Sequence, residues 1–164
     1  MYVPFHQLPP HSRLWIYQLD RPLSDQEAKA MEQKLEEFVT EWSSHGNDLQ
    51  ASFQIKEKQF VVLATNEQVA SASGCSIDKS VNFLRQLEQE FRVQLFDRTQ
   101  LAFQQDGDVH LVPMAQIKAE VEKGTLSPDS LYFDTLVSTV GGLQQQWPVP
   151  AKDTWLARYF QPVS

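Results

Sequence analysis

The chain has 164 residues, 41% hydrophobic and 21% charged, enough for one globular domain with a core of its own. A net charge of −7 and a pI near 5.0 argue against a large nucleic-acid footprint, which needs clustered Lys and Arg. The one cysteine, Cys75, excludes an intramolecular disulfide and fits a reducing compartment, and no apolar run approaches the roughly 18 residues of a membrane span.

Residues 1–12 hold three prolines with His6 and His11 and read as an extended N-terminal arm. MYVPFHQLPPHSR has neither the charged nor the apolar region of a secretory signal, so a cytoplasmic location is expected. A first strand follows at Leu14–Leu19, apolar at nearly every position. Ser24-Asp25-Gln26-Glu27 has the capping-box pattern, with Ser24 as N-cap and Glu27 three residues on. The helix it starts places Ala28, Met31, Leu35, Phe38 and Trp42 on one face. Gly46 is expected to close that helix as a left-handed residue, with His45 in the last turn.

Ala51, Phe53 and Ile55 alternate with polar neighbours, the pattern of a half-buried strand, whereas Phe60–Ala64 is apolar throughout. The loop SASGCSID opens a second helix whose apolar stripe is Ile77, Val81, Leu84, Leu87 and Phe91, with Phe83 off the stripe. Strands are expected at Thr99–Gln104 and Asp108–Val112. Pairing Leu101 with Leu111 and Phe103 with Val109 leaves a three-residue loop, Gln105-Asp106-Gly107. Beyond Pro113 the pattern predicts a short helix through Met114, Ile117 and Val121 ending at Gly124. An extended segment at Leu131–Phe133, a polar loop from Gly141-Gly142 to Gln146 and a last short helix at Trp155–Phe160 complete it.

The order β-α-β-β-α-β is that of a ferredoxin-like two-layer sandwich of the α+β class, here with a C-terminal extension. In that fold the strands lie four-one-three-two, so the first and third are central, and these are the two continuously apolar ones. The runner-up is another two-layer α+β fold with a five-stranded mixed sheet. One domain over 13–164 is expected, with its core at 13–112 and the extension at 113–164. The two helices cover one sheet face, leaving the other to residues 113–160 or to a second subunit.

This topology sets His45-Gly46-Asn47, Ser71–Asp78 and Arg13 at one end of the sheet. Cys75 at a helix N-terminus, where a thiolate is favoured, and His45 beside it are the candidate catalytic pair. Ser73, Gly74, Cys75, Ser76, Asp78 and Arg13 are the candidate ligand-binding set, through backbone N–H groups and hydroxyls at the helix start. The same residues also make an ordinary N-cap and a packed small-residue loop. No metal site or cofactor is expected, because His6, His11, His45 and His110 are scattered and Asp106-Gly107-Asp108 lacks the other ligands of a calcium loop.

At HGNDLQASFQIKEKQFVVLATNE, at ASGCSIDKSVNFLRQLEQEF and again at WPVPAKDTW, the chain resembles a family of small, uncharacterised bacterial proteins often labelled "ABC transporter ATPase". The likeness runs from about Arg13 to Phe160 and implies no catalytic residues. The chain has no G-x-x-x-x-G-K-[ST], so no loop sets a lysine on a nucleotide phosphate. The expected function is a non-enzymatic binding or assembly module, self-associating through the open sheet face or the aromatics Trp147, Trp155, Tyr159 and Phe160. The alternative is a small-molecule or anion site at the 71–78 loop near His45.

Overall fold

The computed structural model describes residues 1–161 and is of the α+β class with antiparallel sheets. It divides into two compact units, Met1–Phe96 with Thr135–Gln144, and Asp97–Asp134 with the segment from Gln145 onward. The second unit thus starts inside the stretch read from sequence as the core of a single domain, and the first takes back a piece of the supposed extension.

In the first unit, β1 (Arg13–Gln18) leads to α1 (Asp25–Glu41), a two-residue-strand hairpin of β2 (Ser43–Ser44) and β3 (Asn47–Asp48), then β4 (Ala51–Lys56), β5 (Phe60–Thr65) and α2 (Gly74–Phe91). The sheet order is β1-β5-β4, all antiparallel, with Arg13 opposite Thr65 and Ala51 opposite Thr65 on the other side. The two apolar strands are therefore neighbours, as expected, and β5, buried at every position, is central.

The four-one-three-two order does not hold. The predicted fourth strand, β6 (Gln100–Gln105), pairs with β7 (Asp108–Pro113) and with β8 (Leu131–Tyr132) in a second sheet, leaving β1 at an edge. That edge is engaged by returning chain: Leu14 N–H donates to the Ser138 carbonyl at 3.0 Å, and Arg13 bridges Thr139.

Helix α1 starts as the sequence implies. Ser24 Oγ accepts from Glu27 N–H at 3.1 Å, and Glu27 Oε1 accepts from Ser24 N–H at 3.0 Å. Glu27 also receives the Arg21 guanidinium at 3.0 and 2.8 Å, which holds its carboxyl down at about 2. The same guanidinium donates to the Phe91 carbonyl at 2.8 Å, so one arginine ties the start of α1 to the end of α2.

Both helices pack on one sheet face, where Met31, Leu35, Val39, Trp42, Leu84 and Leu87 form a core with Tyr17, Val61 and Leu63. Phe83 belongs to this packing after all: its ring stacks on Phe38 at 4.4 Å, nearly parallel. At its N-terminal end α2 buries Ser76 and Ser80 rather than Ile77 and Val81. On the opposite sheet face Leu14, Ile16, Phe60, Val62 and Ala64 are buried too, so that face is not an open apolar surface. The arm is ordered against β4: Tyr2 bridges Ala51 in parallel, and a 3-10 turn at Phe5–Gln7 buries Phe5.

In the second unit the hairpin register differs by one residue from the reading above. Gln105 pairs with Asp108 around a two-residue loop, Asp106-Gly107, with φ of 53° and 81°. Two left-handed residues make the turn whose twist matches the strands. The alternation rule misled because β6, flanked on both sides, buries Leu101, Ala102 and Phe103 in succession.

A 3-10 turn at Met114–Gln116 runs into α3 (Ile117–Glu122), and Gly124 at φ 81° ends it as read. Gly141-Gly142 lies not in a loop but in α4 (Val140–Gln145), and β9 (Val149–Pro150) completes the second sheet in the order β7-β6-β8-β9. Trp155, Tyr159 and Phe160 pack half-buried on Leu101, Phe103 and Tyr132. The aromatic cluster covers the second sheet, and burial pushes the Tyr132 hydroxyl up to about 12.

Candidate functional site

The end of the first unit's sheet is built by one buried side chain. Trp42 ends α1 in an extended conformation, and its indole N–H donates to the Ser76 carbonyl in the first turns of α2 at 2.8 Å. The ring lies against Phe38 and Trp15, with centroids 5.2 and 6.0 Å away. Just beyond it His45 and Gly46, at φ of 51° and 78°, close the β2–β3 hairpin, and Leu49 N–H returns to the Trp42 carbonyl at 3.0 Å.

His45 is therefore a hairpin-tip residue and not part of α1. Gly46 serves the hairpin turn, where both central residues need positive φ, and not the C-terminus of α1.

Across from the hairpin, the chain leaving β5 is fixed by Asn66, a residue the sequence reading passed over. Asn66 Nδ2 donates to Gln50 Oε1 at 2.7 Å, its N–H donates to the Gln50 carbonyl at 2.9 Å, and its Oδ1 accepts from Gln68 N–H at 3.1 Å. An asparagine straight after an apolar strand is a turn signal with this mechanism, and it was legible. The loop so held and the hairpin enclose an open depression of about 540 Å³, lined by Ser44, His45, Asn47, Asp48 and Val69–Ser71. Val69 is 56% exposed, while Ser44 is buried and its Oγ has no hydrogen-bond partner among the described residues.

The expected convergence of the two loops at one end is thus present, with different members. His45 and Ser71 line the depression; Ser73, Gly74, Cys75, Ser76 and Asp78 are not among its described lining residues. Ser73 is the N-cap of α2, its Oγ accepting from Ser76 N–H at 3.1 Å, and Ser76 Oγ donates to the Ser73 carbonyl at 2.8 Å. The serine hydroxyls of the proposed anion cradle are therefore spent on the helix start. Gly74, Cys75 and Asp78 are exposed on the first turns.

Arg13 lies at this end of β1. Its guanidinium is 3.6 Å from Glu67 and 4.7 Å from the Trp15 ring centroid, an exposed pair of modest strength. Among the described residues no group of three or more His, Cys, Asp or Glu side chains could hold a metal ion, and no helix is long and apolar enough to cross a membrane.

A smaller hollow of about 360 Å³ runs along the polar face of α1, lined by Gln33, Glu36, Glu37, Thr40 and Glu41. One helix face supplies all of these residues, whereas the larger depression joins two separate segments. The chain matches no family model, no curated protein and no solved structure.

Proposed function

We propose that the chain is a non-enzymatic, cytosolic binding module whose recognition surface is the depression between the β2–β3 hairpin and the 66–71 loop. The single observation that carries this reading is the make-up of that depression. A well-exposed valine and its neighbour Ala70 sit among Ser44, His45, Asn47, Asp48 and Ser71. An apolar contact within a polar rim is how small protein interfaces are built.

Two rigid supports favour recognition by a preformed surface. Trp42 anchors the hairpin side and Asn66 the loop side, each through hydrogen bonds to a neighbouring segment. Apart from the two-residue strands β2 and β3, the first unit runs β1-α1-β4-β5-α2 with sheet order β1-β5-β4, a ferredoxin-like arrangement short of its fourth strand, and we place the chain with the small bacterial family it resembles on the same footing. Neither relationship supplies chemistry, because function resides in sites and not in folds.

The test is a titration of isotope-labelled full-length chain with a library of short peptides and small polar fragments, followed by amide NMR. Saturable shifts of Ser44–Asp48 and Val69–Ser71 that vanish in Val69→Asp are expected. Shifts confined to other segments, or none, would overturn the assignment, and recovery of a chemically altered fragment would overturn the non-enzymatic part.

A further inference from the structure

Strand β4 is an edge of the first unit's sheet, and its geometry selects a partner. In β4 the backbone groups of Ala51 point away from β5: its N–H donates to the Met1 carbonyl at 3.0 Å and its carbonyl accepts from Val3 N–H at 2.8 Å. Antiparallel alternation then aims the N–H and C=O of Phe53 and Ile55 outward as well. Among the described residues, neither Phe53 nor Ile55 takes a backbone partner on that side. The arm, which occupies the edge at Ala51, leaves it at Pro4 for the 3-10 turn Phe5–Gln7. Five residues of edge, Ser52–Lys56, remain.

We propose that a second copy of this chain pairs with that edge, β4 against β4 and antiparallel, with Phe53 opposite the partner's Ile55 and Gln54 opposite the partner's Gln54. The two neighbouring registers fail. Setting Phe53 against the partner's Phe53 would pair Ile55 with an Ala51 whose groups the arm already uses. Setting Ile55 against the partner's Ile55 would pair Phe53 with Glu57, which is left-handed at φ 54° and has left the strand. In the remaining register the turn at Glu57 and Lys58 carries the second chain away before it meets the arm.

Side chains agree with this choice. Phe53 and Ile55 are half-buried at the margin of the helix-side core, so pairing extends an existing apolar surface. On the opposite face Gln54 Oε1 is buried without a donor among the described residues, and the register brings a second Gln54 amide directly across from it. Lys56 meets Ser52, so no like charges oppose each other. The exposed edge of the second sheet, β7, offers no such match, since the equivalent pairing centres His110 on His110 and runs into Pro113.

Sedimentation equilibrium of the full chain across the micromolar range tests the pairing. The unmodified chain should dimerise. Gln54→Lys and Gln54→Glu should each raise the dissociation constant at least about fivefold, because like charges then face each other across the pair. An equimolar mixture of the two variants should restore the dimer. A monomer at every concentration overturns the proposal, as does a dimer indifferent to both variants or one that mixing does not rescue. Should a variant misfold, hydrogen exchange on the unmodified chain decides. Protection of the Phe53 and Ile55 amides should rise with concentration, and protection independent of concentration refutes the pairing. Protection that appears only when an unrelated extended peptide is added assigns the edge to a different partner and overturns the self-pairing.

Discussion

Replacing Trp42 with phenylalanine isolates the contact that organises the candidate site. The substitution removes the buried indole N–H that reaches the Ser76 carbonyl at 2.8 Å but keeps an aromatic ring near Phe38 and Trp15. A buried hydrogen bond whose acceptor is left behind costs about 1–3 kcal/mol. The acceptor sits within a helix, which argues for the lower half of that range. The missing part of the indole adds a transfer and cavity cost of about 1–2 kcal/mol at a site this tightly enclosed. The expected loss is therefore about 2–4 kcal/mol, read as a fall in urea midpoint followed by far-ultraviolet circular dichroism. Hydrogen exchange adds a local readout: the Leu49 amide, bonded to the Trp42 carbonyl, should exchange faster as the hairpin loosens. Trp155→Phe is the internal comparison, because its N–H meets the Tyr132 hydroxyl at a longer 3.3 Å and its ring is half-exposed. A cost at Trp42 below about 0.5 kcal/mol, or smaller than that at Trp155, would refute the view that the indole anchors this end of the sheet.

Two further outcomes follow from the packing and the charges. Glu27→Gln should destabilise the chain near neutral pH, and its deficit should shrink on acidification. The folded carboxyl titrates at about 2 against an ordinary 4.5, so its contribution is complete above 4.5 and is lost as pH falls toward 2. A urea-midpoint difference that stays constant over that window would show that the Arg21 contact does not hold the carboxylate. Gly141→Ala should lose about 1–2 kcal/mol despite a helix-propensity gain of about 1 kcal/mol. Its Cβ would sit 3.0 Å from Pro10 Cβ and 3.1 Å from the Pro10 carbonyl oxygen, which already accepts the Gly141 N–H at 2.7 Å. A raised urea midpoint in this variant would mean that the Pro10 segment yields.

Local chemistry accounts for what was readable. The capping box at Ser24 and Glu27 forms because both partners lie within one turn, so no distant residue can override it. The nearly unbroken apolar runs of β1 and β5 mark strands covered on both faces, and the two are neighbours in the sheet. Topology alone brought the hairpin and the loop after β5 to one end of the sheet, and the depression lies there.

What tertiary structure decided concerns choices that are locally degenerate. His45-Gly46 suits a helix cap or a hairpin turn equally, since both want positive φ, and the insertion of Trp42 against α2 settles it. The first turns of α2, whose Ser76 carbonyl takes the indole N–H, bury Ser76 and Ser80 in place of the expected Ile77 and Val81. The hairpin register of β6 and β7 depended on whether β6 was flanked on one side or two, a property of its neighbours and not of its own residues. The departure of β6 into a second sheet has the same origin. Element order constrains which strands exist, but pairing energy is shared between strands far apart in sequence, and no single stretch of the chain carries it.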